Sequence, residues 1–176
     1  MSEWNHVRSR TPTAPRPPTA AEAPQPLEHL KALGPLLGNT WEAKGAWPTG
    51  EAFRVQTVFE QVPYVEGIYA RTMALTKDGA PLHLFDAYFY HHTGTGALRC
   101  LALSSQGGVY EGDLTVLAGG ALQLDLLGYE GDQVVPHVVR FDFEQDGTVR
   151  NRVWSLAGTD RRLLLDVRFE SIRPFQ

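Results

Sequence analysis

From Asn39 onward, apolar and polar residues alternate with a period of two, the pattern of strands with one dry and one wet face. Within 52–62, Phe53, Val55, Thr57 and Phe59 stand against Arg54, Gln56 and Glu60. Within 133–143, His137, Val139, Phe141 and Phe143 stand against Arg140 and Asp142. Within 161–172, Leu163, Leu165, Val167 and Phe169 stand against Asp166, Arg168 and Glu170. Turn signals punctuate these runs at Pro48-Thr49-Gly50, Pro63-Tyr64, Asp78-Gly79, Gly94-Thr95-Gly96, Gly107-Gly108, Gly119-Gly120, Gly131-Asp132, Asp146-Gly147 and Gly158-Thr159-Asp160. Several are pairs in which glycine or Asx supplies the positive φ of a tight hairpin. The spacing predicts ten strands, at 39–46, 52–62, 65–76, 81–92, 97–105, 108–117, 121–127, 133–143, 149–156 and 161–172. Short connections make consecutive strands neighbours in a meander. An open sheet of that width leaves two edges unpaired, and closure removes them. The predicted fold is all-β, a closed antiparallel up-and-down barrel of about ten strands.

The segment before the barrel reads differently. Leu27, Leu30 and Leu33 fall on one helical face, with Gly34-Pro35 as a stop, which predicts a short N-terminal helix. So short a helix is not stable alone, so it is expected to plug one end of the barrel. Residues 1–26 hold Pro12, Pro15, Pro17, Pro18, Pro24 and Pro26 of the chain's 12 prolines. They are expected to form a disordered tail, because such a segment buries too little apolar area to offset its ordering entropy. The domain division is therefore a tail, 1–26, and a barrel domain, 27–176.

Composition narrows the function classes. The formal net charge of -4 gives no case for nucleic acid or an anionic membrane as partner. No apolar run reaches the ~18 residues of a membrane helix. Cys100 is the single cysteine, which rules out an intrachain disulfide and a cysteine zinc site. With no apolar leader after the first basic residues, the expected location is cytoplasmic.

The stretch Leu36-Leu37-Gly38-Asn39-Thr40-Trp41-Glu42-Ala43-Lys44-Gly45, with the hairpin Ser104-Ser105-Gln106-Gly107-Gly108-Val109-Tyr110-Glu111-Gly112, resembles the calycin superfamily of lipocalin and fatty-acid-binding barrels. Within it, the likeness is to bacterial lipocalin-like domains of unknown function, over about residues 27–173. Asn39 adds one residue where lipocalins have Gly-x-Trp. The resemblance implies a ligand cavity, and an arginine, Arg168 or Arg173, packed on Trp41. The start of the barrel, Trp41 to Gly45 with Pro48-Thr49 and Phe53, is also similar to nitrobindin-like barrels, which hold ferric haem through a histidine near the last strand. Here Arg161 to Val167 contains no histidine, so no cofactor is expected.

The expected function is binding of a small, largely apolar ligand. Phe53, Phe59, Tyr69, Met73 and Phe141 are the candidate cavity lining, and Arg71, Tyr88 or His137 the groups that orient its polar end. An inward Arg71 would hold a carboxylate bidentately, as fatty-acid-binding barrels do. In 81–92, Asp86, Tyr88, Tyr90 and His92 share one parity and His83 and His91 the other; the pattern does not say which faces inward. That strand is apolar on both sides, so a homodimer through its wall is a further expectation. The alternatives are an isomerase or cyclase that uses Asp86 with His137 as acid and base, and the haem binding that the nitrobindin-like resemblance implies. His91 and His92 point to opposite faces of a regular strand and do not chelate together, so no metal is expected. Cys100 reads as a buried, inert thiol, and Trp154 as an outer residue beside Arg150 and Arg152.

Overall fold

The computed structural model describes residues 27–46, 50–63, 65–76, 79–157 and 160–172. The expected tail, 1–26, and Arg173 lie outside the described residues. The strands are β1 (Thr40–Ala46), β2 (Ala52–Gln61), β3 (Gly67–Leu75), β4 (Pro81–His92), β5 (Ala97–Ser104), β6 (Val109–Val116), β7 (Leu122–Glu130), β8 (Gln133–Phe143), β9 (Val149–Ala157) and β10 (Asp160–Ile172). Each pairs antiparallel with its neighbours in sequence, and β1 pairs with β10 to close the barrel. The expected all-β closed meander is the observed one. β7 runs to Glu130, past the expected end at 127, because Gly128 continues the ladder instead of turning.

Strand direction sorts the connections. The β1–β2, β3–β4, β5–β6, β7–β8 and β9–β10 turns gather at one end, the mouth. The N-terminal segment lies at the other end with the remaining turns, and forms the floor. It is a 3₁₀ helix, Lys31–Leu36, rather than a two-turn helix that stops at Gly34-Pro35. Its i→i+3 bonds run from Leu33 N–H to Leu30 C=O (2.9 Å) and from Leu37 N–H to Gly34 C=O (3.1 Å). Pro35 sits second in the latter turn, where no N–H is required. Leu30, Leu33 and Leu36 are fully buried, each burial contributing about 1.5–3 kcal/mol. Trp41 Nε1–H donates to the Leu36 carbonyl at 2.9 Å, which ties the plug to β1 at the seam of closure.

Two bulges reset which side chains face inward. Thr72 pairs with Phe85 and Met73 with His83, leaving Leu84 extra on β4. Leu163 pairs with Trp154 and Leu165 with Val153, leaving Leu164 extra on β10. A bulge shifts parity by one residue. Leu163, expected inside, is therefore 48% exposed, while Leu164 and Leu165 line the interior.

One glycine is fixed by close approach. A Cβ on Gly112 of β6 would lie 1.9 Å from the Asp125 carbonyl oxygen of β7, and backbone cannot yield as a side-chain tip can. At Gly67 the same Cβ meets nothing nearer than 3.5 Å. Gly112→Ala is expected to lower the unfolding free energy by on the order of 3 kcal/mol, and Gly67→Ala by less than ~1 kcal/mol. Urea denaturation of the two variants measures the difference, and equal losses would contradict this packing.

Candidate functional site

The inner faces of the strands enclose a cavity of ≈ 400 Å³, floored by Leu36 and Trp41. Phe53, Phe59, His137 and Phe141 of the expected site residues line it. Tyr69, Arg71, Met73 and Tyr88 do not. The cavity-lining positions of β3 are Ala70 and Thr72, and those of β4 are Leu84, Phe85, Ala87 and Phe89. β3 has apolar residues on both parities, so its larger side chains gave a misleading signal; the smaller ones face the cavity.

On the outer wall Tyr69 stands opposite Tyr88 and Arg71 opposite Asp86. The Tyr69 and Tyr88 rings lie 5.1 Å apart, and Arg71 Nε donates to the Tyr69 hydroxyl at 2.9 Å. That hydroxyl donates to Asp86, which also lies 3.1 Å from His83 Nε2. The hydrogen bond from Tyr69 holds the Asp86 carboxyl below its usual range. Arg71, with 54% of its side chain exposed, has no route to an interior carboxylate. Asp86 and His137 occupy opposite faces of the wall, so this acid/base pair does not share a proton.

The cavity's polar end is near the mouth. Tyr110 of β6, Glu130 at the end of β7 and His137 of β8 all line it. The Tyr110 hydroxyl donates to Glu130. The Tyr110 ring meets His137 edge-on at 5.4 Å and 78°, and Phe85 at 5.9 Å and 68°. Gly128 makes this cluster possible, since a Cβ there would lie 2.7 Å from the Tyr110 ring and 3.1 Å from the His137 ring. His137 Nδ1 lies 2.9 Å from the Val135 carbonyl. A carbonyl only accepts, so Nδ1 carries a hydrogen, and in the neutral ring Nε2 is the acceptor. Burial, with Glu130 adding to it, pushes the Tyr110 phenol up to about 12.

The other interior polar groups are partnered within the wall. Thr57 and Thr72 hydroxyls lie 2.9 Å apart, and Asn151 Nδ2–H donates to the Arg140 carbonyl at 3.3 Å. Cys100 is buried, and burial pushes its thiol up to about 12, so it is inert near neutral pH. Sequence reasoning did not select Tyr110 or Glu130. The signal was present in two runs of one parity, Tyr110-Gly112-Leu114 and Leu122-Leu124-Leu126-Gly128-Glu130, each interrupted by a glycine.

Charged residues cluster on the outer wall. Arg150 grips Asp166 with two hydrogen bonds, at 2.8 and 2.7 Å. Asp142 lies between Arg140 and Arg152, at 2.7 and 2.5 Å. Trp154 carries the Arg161 guanidinium 4.0 Å above its ring, on the outside as expected. An apolar row also crosses this wall through the paired residues Leu103, Val109, Tyr129 and Val134, and β4, the strand the sequence pointed to, exposes Leu82 and Tyr88. Arg168 pairs with Asp146 at 3.4 Å and does not cover Trp41, whose indole is held by the plug.

The histidines are spread differently from their order in sequence. His92 Nδ1 accepts from Thr95 N–H at 3.2 Å. His91 stacks on His29 of the plug, with ring centroids 3.8 Å apart and planes 3° apart. Glu66 accepts from both His29 N–H (2.6 Å) and Nδ1 (2.8 Å). The possible ligand atoms of His29, Glu66 and His91 lie within 4.8 Å of one another. Parallel rings aim their in-plane lone pairs side by side and not at one point, however, and both Glu66 oxygens serve His29. The arrangement is a latch between plug and barrel and does not fit a metal centre. Nor does the chain fit a haem held from the last strand, as β10 has no histidine.

No family model matches the chain, and no curated protein matches it. A solved structure does. The crystal structure of Rv2717c from M. tuberculosis superimposes with a TM-score of 0.54 at 17% identity, over 86% of this chain and 100% of that one. That likeness establishes the fold alone. No helix among the described residues is long and apolar enough to cross a membrane.

A phenol held protonated by burial stabilises the fold below the ordinary tyrosine range near pH 10. That contribution is lost as pH rises through the folded value. The ultraviolet difference titration of wild type against Tyr110→Phe is expected to show one phenol ionising near 12. Ionisation with the solvent-exposed tyrosines would contradict the buried site.

Proposed function

We propose that this protein binds a small, largely apolar molecule inside the barrel, in the manner of calycin-type barrels. One observation carries the reading: a cavity of ≈ 400 Å³ whose lining is apolar except for a few polar groups, with Tyr110, Glu130 and His137 toward one end. Ligand sites have this character, with volumes of about 300–1,000 Å³ and a small set of orienting polar groups. Phe53, Phe59 and Phe141 supply contact area, and His137 with Tyr110 fixes the orientation. An apolar cavity of this kind gains dispersion contacts when a ligand fills it. Binding is favoured over an isomerase or cyclase reaction because the acid and base proposed for that chemistry, Asp86 and His137, lie on opposite faces of the wall.

Ala102 faces the cavity from β5, and a tryptophan there occupies the space a ligand needs. Decanol is expected to bind the wild type in isothermal titration calorimetry, with affinity reduced at least ~10-fold in Ala102→Trp, about 1.4 kcal/mol. Circular dichroism checks that the variant keeps its strands. Undiminished decanol binding by a folded Ala102→Trp would place the ligand outside the barrel.

A further inference from the structure

The cavity's polar end presents acceptors. Glu130 is the one formally charged residue among its described lining, which includes no lysine or arginine. The Tyr110 hydroxyl hydrogen is committed to one Glu130 oxygen, Oε1, leaving Oε2 free to accept. His137 is only 9% exposed, its Nδ1 hydrogen is committed to the Val135 carbonyl, and in the neutral ring Nε2 is left as an acceptor. The donors that remain inside, one hydroxyl hydrogen of the Thr57–Thr72 pair and the second amide N–H of Asn151, are neutral. The threonine pair lies midway along β2 and β3, and Asn151 near the floor end of β9.

We propose that the ligand is an apolar molecule ending in a hydrogen-bond-donating, cationic head, an alkyl or arylalkyl amine, which sits between Glu130 and His137. This rests on the cavity-binding reading and names its ligand class. An ammonium has three donors and no acceptor. It can donate at once to the free oxygen of Glu130, which is exposed at the mouth, and to Nε2 of His137, which the wall buries. The Tyr110 and Phe85 rings beside it offer π faces of the kind that attract a cation. A carboxylate in the same position would face Glu130 as a like charge, with its acceptors directed at acceptors. Arg71, the carboxylate anchor the sequence offered, is on the outer wall. Arg162 is a cation on the inner parity, in the row that runs through Ser155 to His137. Its side chain is exposed and does not line the cavity.

Three probes with one chain and three heads separate these possibilities: decylamine, decanol and decanoate, titrated calorimetrically at pH 7 into wild type, Glu130→Gln and Arg162→Gln. Glu130→Gln keeps an amide oxygen to accept from Tyr110, but removes the charge and puts an NH2 donor in place of the free acceptor. Decylamine is expected to bind wild type at least ~10-fold more tightly than decanoate. In Glu130→Gln that preference should fall to within ~2-fold. Decanoate binding as tightly as decylamine in wild type, and weakening in Arg162→Gln, would overturn the amine assignment and leave cavity binding intact. If folded wild type binds none of the three, the cavity reading fails together with the amine assignment.

Discussion

Everything in this structure depends on the seam between β1 and β10. The paired residues run from Thr40 opposite Ile172 to Ala43 opposite Phe169, a short ladder compared with most of the others. Without it the meander is an open sheet with two edges and no interior. The seam is reinforced from below, because Trp41 lies in it and its indole bonds to the Leu36 carbonyl. The buried leucines of the plug thus stabilise the floor and the closure together. The His29–Glu66 contact adds a second tie, from the plug to the β2–β3 turn.

Closure divides the side chains into two chemical environments. Nearly all the arginines with resolved partners are on the outer wall, where Arg150, Arg140 and Arg152 pair with Asp166 and Asp142 in reach of water. Exposed pairs of this kind contribute little each, and their main consequence is to keep cations out of the interior. Inside, the polar groups are few, and the hydrogens of Tyr110 and of His137 Nδ1 are already committed to partners. The binding chemistry proposed above follows from this division: an apolar body for the aromatic lining, and a donor for the acceptors at the mouth.

The fold was legible because its strongest signals are local. Alternation in 52–62 and 133–143 identified Phe53, Phe59, His137 and Phe141 as inward, and glycine pairs marked most turns. The site was half legible. Tyr69 and Met73 share a parity with Arg71, and no periodicity distinguishes their face from that of Ala70 and Thr72. The bulges at Leu84 and Leu164 add one residue each and exchange the faces beyond them, an effect set by strand pairing and invisible within a single strand. Tyr110 and Glu130 were hidden by Gly112 and Gly128, which break the apolar alternation where two backbones, or a ring and a backbone, come too close for a side chain. The plug's leucines were readable, but its 3₁₀ geometry depends on burial against the barrel.

The central claim is that the barrel holds accessible apolar space and not a core filled by its own side chains. Xenon enters dry apolar cavities and needs no polar contact, so a crystal of this protein under xenon pressure tests the claim without assuming a ligand. The expected result is xenon inside the barrel in contact with Phe89, Leu124 and Val139, which line the cavity. A xenon-free interior in which inward side chains from opposite walls meet would contradict it.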